Sequence, residues 1–344
     1  MKRNLLLIVL IAFSVQGFSQ FGGASTYDFF NLPTSARVSA LGGSQAGIID
    51  SSELSLSYYN PAALMPKMHN NLSANYCNYI TDINFGYVSY ARNYDSIGTF
   101  AIGVQYINYG KFLESLENGT LTGNTFTAAD YALNLIYSRN VWKNITVGIN
   151  LKPIYSVYES YNSFGIAADL GVSYIDSTGL FTAGLVFKNI GTQINAYQYV
   201  TKAIHEPLPF DIQFGFSQKL AHAPLRFNVN FNQLHNWHLT DKSTWDYDHK
   251  DDDDYTVNGK SDDILKQALR HVVLGVEFIP SQNFSIGIGY NYQRKQELSV
   301  SSNTAFVGLS GGFNVKISKF RLSYSIAKYH LSGLSNMFSV GFKL

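Results

Sequence analysis

The groups with the most chemical potential sit in the third quarter of the chain. His235 and His238 stand close together just ahead of an acidic stretch, residues 241–263, in which Asp246, Asp248, Asp251, Asp252, Asp253 and Asp254 crowd one another. Clustered carboxylates suit calcium, a hard cation that takes oxygen ligands. An EF-hand loop, however, needs a turn glycine and a closing glutamate at fixed offsets, and this run has neither. Like charges in sequence repel and stay solvated, so the stretch reads as a long surface loop. No cofactor or metal site is assigned.

Nucleophilic and phosphate chemistry find no purchase either. The chain has no Gly-x-Ser-x-Gly elbow, no phosphate loop ending in Lys-Ser or Lys-Thr, and no His-Glu-x-x-His run. We expect no enzyme. A net charge of +1 offers no field for nucleic acid, and the single Cys77 excludes an intramolecular disulfide or a cysteine-based zinc site. The remaining charged candidates are Asp169, Glu277, Arg226 and Arg321. Each occupies the polar phase of an alternating segment, where opposite charges are expected to pair with each other or with whatever fills the space between them.

Those alternating segments dominate the chain. Phe210, Ile212, Phe214 and Phe216 oppose Asp211, Gln213, Gly215 and Ser217; Phe227, Val229 and Phe231 oppose Arg226, Asn228, Asn230 and Asn232. A face that polar cannot meet lipid and must face a lumen. Candidate strands lie near 70–80, 83–93, 98–108, 126–138, 144–158, 162–175, 180–190, 209–219, 225–235, 271–280, 283–293, 304–316, 319–329 and 335–344. The count is about fourteen, with twelve or sixteen open because boundaries read from sequence carry an error of a few residues. Tight turns fall at every second junction, at 94–96, 139–142, 176–179, 221–223, 281–282 and 318, which assigns them to the periplasmic side of an outer-membrane barrel.

The ends of the chain agree. Lys2 and Arg3 precede an apolar core and a small-residue stretch, so residues 1–19 read as a cleaved secretory signal. The last strand alternates to the terminus with Phe338, Val340, Phe342 and Leu344 on one face, as a barrel-closing strand must, because an unpaired edge in hydrocarbon is too costly. An arginine at Val340 is therefore expected to cost more than one at Ser339. Composition fits: 24 Tyr, 24 Phe and 28 Gly with 14% charged residues and mean hydropathy near zero describe lipid-facing and lumenal residues averaging out.

Between signal and barrel, residues 20–67 do not alternate. A short helix is expected within 34–41, ended by Gly42 and Gly43, and Asn60 followed by Pro61 reads as a helix N-cap with proline at the first position. This stretch is either a periplasmic domain or a plug; it is too small to hold a core of its own, and a wide barrel needs filling. We expect the plug, ahead of a barrel over 68–344.

At these residues the chain resembles a known family. TYDFFNLPTSARVSALGG (26–43), which holds Asn31, Leu32, Pro33, Arg37, Gly42 and Gly43, then Asn60-Pro61-Ala62, then YGKF (109–112) leading to GNTF (123–126) and Asp130, are similar to the PorQ family of the Bacteroidetes type IX secretion system. Asn-Pro-Ala is shared with the wider FadL-like group, including PorV. The resemblance implies an all-β, fourteen-strand FadL-like transmembrane barrel with an amino-terminal hatch in a Gram-negative outer membrane. It also implies a non-enzymatic role: anchoring a PorZ-like surface protein near a PorV-like barrel and a PorU-like sortase. The binding surface is then expected on long extracellular loops at 111–124, 191–206 and 236–266. A FadL-like channel for hydrophobic small molecules is the alternative, although the inward residues are Asn, Gln, Ser, Gly and Arg rather than an apolar track.

Overall fold

Alternation over lengths that cross a bilayer obliges the chain to pair its strands without leaving an edge, and it does so by closing on itself. The computed structural model describes residues 25–115, 119–199, 202–203, 205–237, 239, 264–298, 306–330 and 333–344. The signal at 1–19, His238 and the acidic residues 241–263 lie outside them.

Fourteen strands form one closed antiparallel barrel: β1 (Asn71–Ile80), β2 (Ile83–Tyr94), β3 (Gly98–Ser115), β4 (Leu121–Trp142), β5 (Ile145–Tyr158), β6 (Tyr161–Ile175), β7 (Phe181–Asn195), β10 (Asp211–Lys219), β11 (Leu225–Phe231), β12 (Val272–Ser281), β13 (Phe284–Asn291), β14 (Leu309–Ile317), β15 (Phe320–His330) and β16 (Gly333–Lys343). Between β7 and β10, β8 (Gln198–Tyr199) and β9 (Lys202–Ala203) pair only with each other. The seam is β1 against β16, with Ala74 opposite Val340 and Tyr76 opposite Phe338. Phe338 and Val340 point outward and Ser339 inward; Leu344 lies just past the strand and is exposed. The Phe342 ring lies tilted against Phe320, with ring centroids 4.6 Å apart.

Outward positions carry Phe100, Tyr131, Phe164, Phe187, Phe214, Phe227, Phe278 and Phe313, all exposed, while Gln105, Asn134, Asn150, Asp169, Asn228, Asn230 and Glu277 point inward and are buried. This is the two-sided pattern of a strand between lipid and a filled lumen.

Several boundaries differ from those read in sequence. Residues 111–115 and 121–124 continue β3 and β4 as a ribbon, held by pairs such as Phe112 with Phe126 after a register shift between Asn108 and Lys111. In the same way 191–195 extend β7. The stretch 139–142 is strand rather than turn, because β4 runs on to Trp142 and the chain reverses at Lys143 and Asn144. Strand β13 stops at Asn291, whose side chain accepts from the Arg294 N–H and starts a short helix, Tyr292–Glu297. Strand β14 consequently begins at Leu309, not near 304, and a second helix, Ile264–Arg270, precedes β12.

Inside the barrel run residues 25–70. Tyr27, Phe29, Phe30, Ala36, Val38, Leu41, Ile48, Leu56, Tyr58 and Leu64 are all buried. The segment holds two short α-helices, α1 (Ala36–Ala40) and α2 (Leu56–Tyr59), with 3-10 turns at Asp28–Asn31, Pro61–Ala63 and Pro66–Met68. Ser35 caps α1, and Gly42 and Gly43, with φ of 101° and 95°, end it in a backbone region that favours glycine.

Candidate functional site

The inner segment is fixed to the wall by buried charge. Arg37, projecting from α1, grips Glu277 of β12 with Nε and Nη2 at 2.7 and 3.0 Å. Its Nη1 donates to Asp50 at 2.9 Å and to Glu53 at 3.4 Å. Arg226 of β11 completes the cluster, 3.3 Å from Glu277 and 3.7 Å from Asp50. Three carboxylates thus share two guanidinium groups, so each buried charge has a partner. Burial alone would raise the Asp50 carboxyl, but Arg37, Arg226 and Arg321 outweigh it and hold the group well below the usual carboxylate range. Asp169 pairs with Lys152 across β5 and β6 at 2.6 Å, and the Lys152 ammonium sits 4.4 Å from the Phe30 ring centroid. The charges expected to pair inside the lumen do so, except Arg321, which makes no ion pair among the described residues.

Backbone approach does the rest. A Cβ on Gly289 of β13 would run into the backbone of Leu41 and Gly42, and one on Gly171 of β6 into Asn60 and Pro61. The wall has given up side chains where the inner segment touches it. Asn60 joins three pieces: its Oδ1 accepts from the Ala62 N–H at 3.0 Å, and its Nδ2 donates to Ala46 at 3.1 Å and to Val172 of β6 at 3.2 Å. Its cap serves a 3-10 turn, Pro61–Ala63, rather than an α-helix. Ser339 of β16 accepts from the Ala36 N–H at 2.8 Å, so Ser339 is an anchor point that its place on the polar face did not reveal. An arginine there would meet α1.

The motif residues divide accordingly. Pro33, Arg37, Gly42, Asn60, Pro61 and Ala62 are buried in the lumen, Leu32 and Gly43 are half-buried, and Asn31 is exposed. Asp130, from the last part of the motif, accepts from Tyr109 at 2.7 Å and Tyr158 at 3.1 Å, and from Ser156. Sequence reasoning did not find this cluster, because its members come from three strands. His235 is exposed, its ring 5.1 Å from that of Phe210. No group of His, Cys, Asp and Glu among the described residues could hold a metal ion.

Two cavities flank the inner segment and share no lining residue. One, of about 460 Å³ at the long-loop end, is lined by Asp28, Asn31, Lys188, Asp211, His235 and Arg294 among others. The second, of about 370 Å³, opens at the short-turn end beside Ser51, Ser52, Lys316, Arg321 and Lys343. Beyond the barrel at the long-loop end, Leu113, Leu121, Trp237, Ile264, Leu265 and Phe306 expose between half and three-quarters of their surface.

The architecture recurs among solved structures. The Ralstonia pickettii toluene transporter TbuX matches over 92% of this chain and 100% of its own, with 12% identity and a TM-score of 0.52. The Pseudomonas putida toluene transporter TodX matches over 90% of this chain and 96% of its own, with 11% identity and a TM-score of 0.53. The fold is FadL-like. Identity at this level speaks to fold alone. No protein-family model and no curated protein sequence matches the chain.

Proposed function

We propose that this protein is a sealed outer-membrane barrel that serves as a scaffold: it anchors a surface partner in the type IX secretion system, a PorZ-like protein held near a PorV-like barrel and a PorU-like sortase. The observation that carries the reading is the charged lock on the inner segment. A segment locked by Arg37, Glu277, Asp50, Glu53 and Arg226 lies across the lumen between two separate cavities. Among the residues that carry the PorQ resemblance, Arg37 and Asn60 bond the segment to the wall and Gly42 ends its first helix. The β3–β4 ribbon and the apolar side chains beyond the barrel supply a surface on which a protein could settle.

A second reading is favoured by the comparisons: a channel for hydrophobic small molecules, since the matching structures bear the names of toluene transporters. Against it stands the mixed lining of the outer cavity, where Asp28 and Arg294 stand among Phe30, Tyr59, Tyr79, Phe210 and Tyr329 and would lose water to an apolar solute. Affinity purification of the tagged protein from outer membranes separates the two. The scaffold reading expects a surface protein, a second barrel and a sortase in stoichiometric amounts; recovery of the barrel alone, together with uptake of toluene-like solutes by vesicles that contain it, replaces it with the channel.

A further inference from the structure

The cavity at the short-turn end differs electrically from the rest of the lumen. Its lining includes Lys67, Lys316, Lys319, Arg321 and Lys343, and Glu53 is its one acidic residue. Glu53 is already engaged by Ser35 and Arg37. None of the five cations makes a hydrogen bond or an ion pair through its side chain among the described residues; Arg321 acts on Asp50 only at a distance. Deeper in the barrel Arg37, Arg226 and Lys152 are matched with carboxylates, while Lys188 lies over the rings of Tyr58 and Tyr59.

The register puts this charge inside the wall. Lys316 and Arg321 lie directly opposite each other on β14 and β15, two residues along from Asn314 and Ser323, which are buried toward the lumen. Lys343 is four residues beyond the inward Ser339 on β16 and so shares its face. Like charges directly across a strand pair are destabilising, and here a third cation adds to them. These positions lie on the opposite face from Phe320 and Val340, which point outward. Ser51 adds a hydroxyl to the same wall, where Ser52 already donates to Asp50 and Ser55 is bonded to Ser73.

We infer that this mouth is a docking site for an acidic polypeptide segment that enters from the periplasmic side, its aspartate or glutamate side chains spread over Lys67, Lys316, Lys319, Arg321 and Lys343. Five cations distributed around an opening of about 370 Å³ suit several carboxylates along a chain better than one compact anion, which would need its donors to converge. The inference stands whether the barrel is a scaffold or a channel.

The test uses the full-length protein in nonionic detergent and a fluorescein-labelled hexa-aspartate peptide, followed by anisotropy at low salt. Binding should weaken steeply with ionic strength. Lys316→Glu, Arg321→Glu and Lys343→Glu together should reduce affinity by at least roughly tenfold and create affinity for a hexa-lysine peptide. Lys143→Glu, in the β4–β5 turn of the same end but away from the cavity, should change neither. If the triple variant loses its folded, heat-modifiable form, Lys343→Gln alone should still weaken binding several-fold. Unchanged affinity in the folded triple variant, or equal loss in Lys143→Glu, overturns the site. Displacement of the peptide by inorganic phosphate at equal charge overturns the polypeptide in favour of a small anion. Loss of peptide binding in phosphatidylglycerol nanodiscs but not in phosphatidylcholine ones overturns it in favour of lipid.

Discussion

Replacing Arg37 by methionine removes the group that holds the inner segment to β12 and keeps the volume of its stem. Arg37 is 4% exposed, and the change strips three hydrogen bonds of 3.0 Å or less, two to Glu277 and one to Asp50. Glu277, which is 1% exposed, keeps only Arg226 at 3.3 Å, and Glu53 keeps Ser35 alone. Breaking a buried pair on one side costs about 3–5 kcal/mol, because a charge stays behind without its partner. At 1.4 kcal/mol per tenfold, the docked segment loses a factor of roughly 10² to 4 × 10³ against its displaced forms. Planar-bilayer recordings should show rare or no openings in the native protein and frequent openings in Arg37→Met, with proteinase K cutting within the buried part of the segment. Adding Glu277→Gln to Arg37→Met should partly restore closure, since the stranded carboxylate is gone. If Arg37→Met is folded and as closed and protease-resistant as the native protein, the ion-pair cluster does not hold the seal.

Four further outcomes follow from the same geometry. Gly289→Leu places a side chain where the backbone of Leu41 and Gly42 lies, and should open the barrel as deleting residues 20–67 does, both measured as conductance. Lys152→Met leaves Asp169 buried beside Asn150 and Asn189 with only the more distant Lys188 for a cation, and should cost up to about 3–5 kcal/mol in unfolding from detergent. Val340→Arg, on the lipid face, should cost about 2–4 kcal/mol near the bilayer midplane, whereas Ser339→Arg should raise conductance by dislodging α1. Asp50 has a depressed carboxyl, so its contribution is complete above its unfolded value near ~3.9 and is lost as pH falls below that; bilayer conductance should stay flat from about pH 8 to 5 and rise only below roughly pH 4.

The barrel was legible because its signal is local. A strand that meets lipid on one side and a polar lumen on the other writes that difference into every second residue, as in Phe227, Asn228, Val229 and Asn230. Strand ends were less legible where the chain leaves the membrane: past Asn108 no lipid enforces alternation, yet β3 and β4 go on pairing because Phe112 meets Phe126. The short helix after β13 had a readable signal in Asn291, which can cap, followed by residues that favour helix. The contacts of the inner segment were not legible at all, since Arg37 and Glu277 are 240 residues apart. One clue was present: Gly148, Gly171, Gly184, Gly215, Gly275 and Gly289 stand at inward positions of six strands, and each faces part of the inner segment. Glycine on a lumenal face marks where backbone comes close.

The scaffold reading is tested most directly by deleting the gene and following where secreted cargo and the PorZ-like partner go. The account predicts that both are released from the cell surface into the medium while uptake of toluene-like and fatty-acid solutes is unchanged. A deletion strain that sorts its cargo normally and retains the partner, but fails to take up an apolar solute, would contradict it and make the protein a channel.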